Sequence, residues 1–308
     1  MKRIIVTHKA SDLDAVTSTW LIKRFLPGWD SAEIQFVPAG SKLLGNYTQK
    51  GEAIEIVDGA EVIHVDTGMG PLDHHQTESS DVCATSLAFE YVKAAGQNGL
   101  GDEKIKTKAL SEMVEYVVDD DHFQEIFFIN PTASVYDFSI VGLLHGIKSQ
   151  YPKDDVTCMR FGIDMLDAAL HSFENKIWAL EEIEEKGIKF TTRWGEALAV
   201  ETVNDTILKL GQQEGFVITV RKDPTSGAIR IKSRPTMRNK YKDSKFPIFE
   251  HVDVDLTSVY EQLQKMDPEA SWYLHVSKRM LLNGSSKNPT MRGSKLSLDQ
   301  VVEILKTA

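Results

Sequence analysis

A histidine- and aspartate-rich stretch in the first quarter of the chain carries the residue types best suited to chemistry. Asp73, His74 and His75 are consecutive, and they follow the apolar run 62–65, which leads into Asp66. Two imidazoles and a carboxylate need hydrogen-bond partners or a paired charge, so they cannot all lie in an apolar core. The triplet alone is compatible with a polar loop, but it could also hold a ligand or a metal ion.

A second group of ionisable residues lies near the N-terminus. His8, Asp12 and Asp14 follow a short apolar strand predicted over residues 2–7, and they precede a helix whose apolar residues recur at helical spacing as far as Pro27. The turn between a strand and the next helix is where open α/β sheets place their sites. These three side chains are therefore candidates for the same site as the triplet.

Three consecutive acids end the helix predicted over residues 104–118. If the helical period continues, Asp121 falls on the buried face and Asp119 points elsewhere, with Asp120 between them. Adjacent carboxylates repel one another unless a cation or a base neutralises them. A solvated helix end is the alternative interpretation.

Together these residues form a mixed histidine and carboxylate set without thiolates, which suits Mn²⁺, Mg²⁺, Fe²⁺ or Zn²⁺. The set is large enough for two ions if one aspartate bridges them, and paired metals ~3.5–4 Å apart are the usual apparatus for hydrolysing phosphate esters. A water shared by the ions would give hydroxide, the nucleophile. Asp73 would orient an imidazole, and His75 could contact the phosphate or act as a general acid.

The remaining pattern predicts the elements that position these residues. Alternating strands and helices over residues 1–150 indicate a mostly parallel sheet flanked by helices, with strands at 34–37, 53–57 and 61–65 and a helix at 85–95. A linker at 151–155 and a long helix at 157–186 make up a connecting segment, 151–190. Residues 191–308 predict a smaller α+β domain with strands at 198–203, 216–221, 228–232 and 271–276 and helices at 257–266 and 298–306.

Composition limits the classes of protein that fit. The chain has 308 residues, of which 42% are apolar and 26% charged, and its net charge of −10 argues against a general nucleic-acid coat protein. We expect a cytoplasmic protein that does not enter the membrane, because no apolar run approaches ~20 residues and the two cysteines suggest neither a disulfide framework nor a zinc site. Two basic segments, 221–245 and 271–298, nevertheless favour a phosphate-bearing partner.

The order and spacing of these groups resemble the DHH phosphoesterase superfamily. The similarity rests on four coordinated features, which are Thr7-His8-x₃-Asp12-x-Asp14, Val65-Asp66-Thr67-Gly68, Asp73-His74-His75 and the acids near residue 120. The resemblance implies that the metal ligands are His8, Asp12, Asp14, Asp66 and His74, with Asp66 bridging two Mn²⁺ or Mg²⁺ ions. It also implies that one acid near residue 120 completes the site, for which the helix face favours Asp121, and that His75 contacts the substrate phosphate.

The second half of the chain contains the long helix from residue 161 to 186, the hairpin strand Ile229-Arg230-Ile231-Lys232 and the pattern His275-Val276-Ser277…Asn283-Gly284-Ser285-Ser286-Lys287. These features are similar to the C-terminal half of the melanocyte-proliferating-gene-type exonucleases, a DHH-like family. The chain departs from that family in having a single glycine, Gly284, where a Gly-Gly pair is expected, and in a first motif closer to other DHH enzymes. The resemblance implies a C-terminal domain that closes over the metal centre and grips the substrate. The candidate phosphate contacts there are His275, Lys278, Arg279, Ser285, Ser286, Lys287 and Arg292.

The resulting hypothesis is a two-metal phosphodiesterase, a 3′–5′ exonuclease or a nucleotide phosphodiesterase, acting on RNA, short oligonucleotides or nucleotides. A phosphomonoesterase or pyrophosphatase on the same scaffold is the alternative within hydrolases, although the basic segment 221–245 favours a nucleotide or polymeric substrate. A non-catalytic metal or nucleotide sensor is the alternative outside them. The oligomeric state is left open, with a homodimer as one option.

Overall fold

The computed structural model of the chain describes residues 1–95, 104–236, 252–284 and 288–308. The chain forms two compact units, Met1–Glu174 and Asn175–Ala308, which we call the N-terminal and C-terminal units. The boundary lies within the long helix expected from the sequence, which spans Asp155–Lys186. The sequence suggested three segments with boundaries at 150 and 190, whereas the compact units number two.

The fold is mixed α/β, and the N-terminal unit alternates strands and helices along the chain. Its elements are β1 (Arg3–His8), α1 (Leu13–Phe25), β2 (Glu33–Val37), β3 (Tyr47–Gln49), β4 (Glu55–Val57), β5 (Ala60–His64), α2 (Ala84–Ala95), α3 (Lys104–Asp121), α4 (Ile140–Gln150) and the first part of α5 (Asp155–Lys186). Two 3₁₀ turns, Gln124–Phe127 and Tyr136–Phe138, lie between α3 and α4.

The N-terminal sheet has the strand order β2-β1-β5-β4-β3. Strand β1 is central and pairs in parallel with both β2 and β5, and its Ile5 and Val6 are fully buried, as expected for a strand covered on both faces. The expectation of a mostly parallel sheet holds only for these three strands, because β4 and β3 join antiparallel. The reason is local. Asp58 and Gly59 both adopt positive φ, which is the geometry of a two-residue hairpin turn.

Helix α1 follows β1 and is the buried helix of the N-terminal unit. Its N-cap is Asp12, whose side chain accepts a hydrogen bond from the Ala15 N–H at 3.0 Å. Residues Leu13 to Ile22 are all buried, so the helix is covered on every side rather than along one stripe. This burial fixes the position of the α1 N-terminus, where two of the predicted site residues lie.

The C-terminal unit is built on a second sheet with the order β10-β11-β9-β8-β7-β6. Its elements are the remainder of α5, β6 (Ile188–Thr192), β7 (Gly195–Glu201), α6 (Thr206–Gln213), β8 (Ile218–Lys222), β9 (Ile229–Ser233), α7 (Thr257–Met266), β10 (Trp272–Leu274), β11 (Met280–Asn283) and α8 (Leu298–Thr307). Strands β7 and β8 are parallel, with α6 as the crossover, and the other neighbours are antiparallel. Strands β8 and β9 form a hairpin around residues 223–227, where the sequence Asp-Pro-Thr-Ser-Gly predicts a turn.

No helix among the described residues is long and apolar enough to cross a membrane. Cys83 and Cys158 are both buried free thiols.

Candidate metal centre

Two neighbouring parallel strands bring the predicted site residues together. Strands β1 and β5 pair in parallel, so their carboxyl ends meet at one edge of the sheet. His8 ends β1, and Asp66 follows β5 by two residues. Asp66 adopts the left-handed conformation, as does Ala10 in the turn between β1 and α1. Such conformations cost on the order of 1–3 kcal/mol each and tend to occur at functional sites.

Asp66 lies between two histidines that come from different parts of the chain. Its Oδ2 is 3.1 Å from Nε2 of His8, and its Oδ1 is 3.5 Å from Nε2 of His74. The residue is 2% exposed, and Oδ1 is buried with no hydrogen-bond partner. Buried polar atoms are almost always satisfied, so this oxygen has the geometry of a ligand for a cation.

The ring of His8 is oriented for metal binding. Its Nδ1 lies 2.8 Å from the carbonyl oxygen of Lys9, which can only accept, so Nδ1 carries the proton and the neutral ring has its lone pair on Nε2. Nε2 faces Asp66 and lies 3.6 Å from Oδ2 of Asp12. Burial lowers the pKa of His8, but the Asp12 and Asp66 carboxylates outweigh it and raise the pKa to about 10.

A second group of ligand atoms surrounds His74. Its Nε2 is 3.7 Å from Oδ2 of Asp14, 3.5 Å from Oδ1 of Asp66 and 3.6 Å from Oδ2 of Asp121. These distances are long for hydrogen bonds. Atoms bound about 2.0–2.2 Å from one ion lie roughly 3–3.6 Å from one another, which is close to what is observed. The carboxylates of Asp66, Asp121 and Asp14 together raise the pKa of His74 to about 9, with Asp66 contributing most, and burial opposes the rise.

Asp14 is held rigidly by the next helix along the chain. Its two carboxylate oxygens accept hydrogen bonds from the Ala84 and Thr85 N–H groups, at 2.8 and 2.6 Å, at the start of α2. Burial, together with the charge of the neighbouring Asp66, raises the pKa of Asp14 to about 7. Charged carboxylates crowded in this way repel one another, and a divalent cation would remove that repulsion.

Of the three acids that end α3, Asp121 faces the centre. Among the described residues, the sets of three ligand atoms close enough to share an ion include Asp121 but neither Asp119 nor Asp120. Burial raises the pKa of Asp120 to about 6, with Glu125 and Asp12 contributing. The geometry therefore agrees with the choice made from the helical period, while the ligand role itself stays a prediction.

His75 and Asp73 form a separate pair at the rim of the centre. Asp73 is buried, and its Oδ1 accepts hydrogen bonds from Nδ1 of His75 at 2.7 Å and from the His75 N–H at 3.1 Å. Its Oδ2 accepts from the Met69 N–H at 2.7 Å. Burial raises the pKa of Asp73, but these bonds outweigh it and leave the pKa below its ordinary value. The His75 ring is about half exposed, so its Nε2 is free to meet a substrate.

Two residues near the centre were not among the sequence candidates. His122 contacts the edge of the His74 ring, and its Nε2 donates to the Val82 carbonyl at 3.1 Å, which leaves Nδ1 as an acceptor. Lys148 on α4 is near enough to Asp12 to help lower the pKa of that carboxyl, together with His8 and against burial. The only sequence feature that pointed to His122 was its position next to Asp121. The proximity of Lys148 to Asp12 joins distant segments of the chain, and the sequence carries no signal for it.

The donor set fits a hard or borderline divalent cation. It consists of imidazole nitrogens and carboxylate oxygens, and the nearest thiol, Cys83, stays protonated because burial raises its pKa. Among the described residues, the groups whose ligand atoms are close enough to share an ion are His8–Asp12–Asp66, Asp66–His74–His75 and His74–Asp121–His122, and Asp14 lies 3.7 Å from His74. Asp66 belongs to the first two groups. The arrangement can therefore accommodate two ions with Asp66 as the shared ligand.

Four of the predicted substrate contacts, His275, Lys278, Arg279 and Arg292, are described by the structure, and these four do not form one cluster. Most of their charges already have acidic partners, Lys278 with Asp255 at 2.9 Å and Arg279 with Asp253 at 2.8 Å. Both belong to the β10–β11 turn, as does His275, whose Nδ1 lies 2.8 Å from the Ser277 hydroxyl.

Arg292 is remote from that turn. It pairs with Glu269 and hydrogen-bonds Ser271 at the other end of β10. Ser285, Ser286 and Lys287 lie outside the described residues.

The C-terminal unit also contains a cavity of about 410 Å³ that sequence reasoning did not identify, lined in part by Arg221 and Arg230. Arg221 is buried, and its guanidinium contacts Asp205, Asp223 and the Thr202 and Val203 carbonyls. Arg230 also pairs with Asp205. These charges are compensated within the unit, so the cavity has no excess positive charge from its two arginines.

The sequence and the structure of the chain can be compared with those of known proteins. No family model matches the chain, and no curated protein matches it. Among solved structures, an uncharacterized protein from Helicobacter pylori G27 is 12% identical, with 100% of both chains covered and a TM-score of 0.31. A putative family II inorganic pyrophosphatase from Methanococcus jannaschii is 14% identical, covering 99% of this chain and 98% of its own, with a TM-score of 0.20.

Proposed function

We propose that this protein is a metal-dependent phosphoester hydrolase that uses two divalent cations. The observation that carries the proposal is Asp66, a buried carboxylate whose two oxygens face two different histidines, His8 and His74, with one oxygen lacking any hydrogen bond. A carboxylate so placed is suited to bridge two ions. Bound there, the cations would lower the pKa of a water and offset the charge that develops on the phosphoryl oxygens.

The residues of this chain would hold the ions in place. His8, Asp12 and Asp66 would hold one ion. Asp66, together with His74, Asp14 and Asp121, would hold the other. The hydrogen bond from His8 to the Lys9 carbonyl and those from the α2 N–H groups to Asp14 fix the ligand orientations before an ion arrives. Such partners typically raise metal affinity or activity roughly 10–100-fold.

His75 is the proposed proton donor or phosphate contact. Asp73 fixes its ring through Nδ1, and the half-exposed ring leaves Nε2 available on the solvent side. A positioned histidine of this kind contributes about 10²–10⁴-fold in rate as a general acid or base. Asp73 then acts through His75 as a positioning residue.

The proposed substrates are phosphate esters of several kinds. The basic segment 221–245 favours a nucleotide or a short RNA as the substrate. The enzyme would then be a nucleotide phosphodiesterase or a 3′–5′ exonuclease. Inorganic pyrophosphate and phosphomonoesters are the alternatives on the same centre. The pairing of Lys278, Arg279 and Arg292 with acids weakens the case for a long polyanion at those residues.

The experiment is a turnover assay of the full chain with Mn²⁺ or Mg²⁺ against 3′-labelled RNA, dinucleotides, cyclic dinucleotides, phosphomonoesters and pyrophosphate. We expect hydrolysis of at least one of these, abolished by EDTA and by His74→Ala. His171→Ala provides the matched control, because His171 is exposed on α5 and pairs with Glu174. Metal binding without turnover of any substrate contradicts hydrolysis and supports a metal or nucleotide sensor.

A further inference from the structure

The segment between α3 and α4 exposes an unusual amount of apolar side chain. Its apolar surface consists of Phe123, Ile126, Phe127, Ile129, Val135 and Phe138, each between 60% and 83% exposed. Taking about 200 Å² for a fully exposed aromatic side chain and about 150 Å² for a fully exposed aliphatic one, these exposures amount to roughly 750 Å². The largest apolar patch of a typical monomer is about 300–600 Å².

The surface is displayed by an ordered framework. The Tyr136 hydroxyl donates to the Ile129 carbonyl at 2.8 Å, and its ring packs against Phe128 with centroids 5.7 Å apart. These contacts join the first stretch of the surface, 123–129, to the second, 135–138. Gly142 of α4 lies so close to Asp137 that a Cβ atom would be 2.6 Å from its carbonyl oxygen, which packs the second stretch onto α4.

The backbone at the start of the surface is held in a sparsely populated conformation. Phe123 has a φ of +58°, in the left-handed region that bulky residues seldom adopt. Phe123 follows the C-terminal end of α3, where a residue in this conformation is usually glycine. Its N–H donates to the Asp120 carbonyl at 3.1 Å. A phenylalanine at this position directs an aromatic side chain outward at a backbone cost, and it is 72% exposed.

We propose that this apolar surface is the interface of a homodimer. A second copy fits it by area, because a standard interface buries about 800 Å² per partner, close to the surface available here. It also fits by composition, since interface cores are enriched in aromatic residues and depleted of charge. A twofold axis through the surface makes it complementary to itself, which is the commonest arrangement of soluble oligomers.

The charge of the segment argues against other occupants. No lysine or arginine stands between Lys108 and Lys148, while Glu125 and Asp137 lie within the segment. Nucleic acids and anionic lipid surfaces are bound through basic residues, which this segment lacks. The inference concerns assembly and does not depend on the proposed hydrolase activity.

The test is the mass of the full chain by sedimentation velocity and light scattering over a range of concentrations. We expect wild-type protein at twice 34.5 kDa, dissociating on dilution. Phe127→Asp and Phe138→Asp should each raise the dimer dissociation constant at least about tenfold. Leu44→Asp should not, because Leu44 is 94% exposed in another part of the N-terminal unit.

A wild-type monomer at every concentration overturns the proposal, as does a dimer that survives the double variant Phe127→Asp/Phe138→Asp. Binding of a monomer to phospholipid vesicles also overturns it and assigns the surface to a membrane. Hydrogen exchange of the unmodified protein is a measurement that needs no variant. Protection that increases with concentration within residues 123–143 supports the proposal, and protection confined to other segments contradicts it.

Discussion

Nδ1 of His75 donates a hydrogen bond of 2.7 Å to Oδ1 of Asp73, while the adjacent His74 directs Nε2 at three other carboxylates. The two neighbouring imidazoles have ring centroids 4.5 Å apart, and each lies near Asp66 Oδ1, but only His75 is hydrogen-bonded to Asp73. His75 is close enough to Asp66 and His74 to share an ion, but its Nδ1 is engaged by Asp73 and its half-exposed ring leaves the distal nitrogen for a substrate. The proposed roles of the two residues can be separated by experiment.

We expect His75→Ala to keep its metal and lose turnover. The rate should fall by about 10²–10⁴-fold, the usual contribution of a positioned acid or base, with the metal content unchanged. His74→Ala should instead lose bound Mn²⁺ and activity together. Metal content by mass spectrometry and kcat measured on the same samples check both. Loss of metal in His75→Ala, or retention of full activity in His74→Ala, contradicts the assignment.

We expect Asp121→Asn to weaken Mn²⁺ binding and Asp119→Asn to leave it unchanged. Asp121 lies 3.6 Å from His74, and loss of a ligand should cost at least the roughly 10–100-fold that removal of a ligand's supporting partner costs. Both acids end the same helix, so the pair is matched for helix-end electrostatics. Titration calorimetry measures the difference. A larger effect at Asp119 would show that the helix face was assigned wrongly.

Metal affinity should increase with pH between about pH 6 and 8. Without metal, the carboxylates raise the pKa of His8 to about 10, against burial, and that of His74 to about 9, so both rings are protonated at neutral pH. A cation must displace these protons, and each proton released changes the apparent affinity about tenfold per pH unit. Calorimetry in buffers of different ionisation enthalpy counts the protons. An affinity independent of pH would mean that the rings bind no proton in the free protein.

The stability of the metal-free protein should decrease over a related pH range. A folded-state histidine pKa above 6.5 stabilises the fold fully below pH 6.5, and the stabilisation is lost as the pH rises through about 9 for His74 and about 10 for His8. Asp14, whose pKa burial raises to about 7, acts in the same direction at lower pH. Urea unfolding in EDTA from pH 6.5 to 9.5 tests this. Stability that rises across this range would contradict the assigned pKa directions.

Replacing either of two glycines of α4 by alanine should change the stability of the protein, in opposite directions at the two positions. A Cβ at Gly142 would lie 2.6 Å from the Asp137 carbonyl oxygen, whereas a Cβ at Gly146 would meet nothing within 4 Å. Gly142→Ala should destabilise the protein by about 1–3 kcal/mol through overpacking. Gly146→Ala should stabilise it by up to about 1 kcal/mol through helix propensity. Denaturant unfolding of the two variants measures both effects. Equal effects would contradict the close approach of α4 to the Asp137 carbonyl.

Much of the candidate centre was predictable because its signals are local. His8, Asp12 and Asp14 occupy one strand-to-helix turn, and the apolar pattern on both sides defines that turn. Asp121 was favoured by helical periodicity, which persists to the last residue of α3. What periodicity could not supply is the hydrogen bonding of Asp14 to the start of α2, a contact between segments 70 residues apart.

The fold was less predictable where elements are short or their pairing is non-local. Strands β3 and β6, at sheet edges, and β11 carry weak patterns, and none was predicted. The apolar pattern over 135–148 also predicts a single helix, but the structure has a 3₁₀ turn followed by α4, because Ser139 is extended and caps a new helix. The basic residues chosen as substrate contacts were close in sequence, but β10 separates Arg292 from Lys278 and Arg279.

The most direct test of the central claim is the number of Mn²⁺ ions bound by wild type and by Asp66→Asn. Asparagine tolerates the left-handed conformation of residue 66, so the turn is kept while one carboxylate oxygen is lost. Asp81→Asn, at an exposed position, is the control. Equilibrium dialysis with metal analysis should give two ions per chain for wild type and Asp81→Asn, and one or none for Asp66→Asn. Two ions retained without the Asp66 carboxylate, or a single ion in wild type, would contradict a bridged pair.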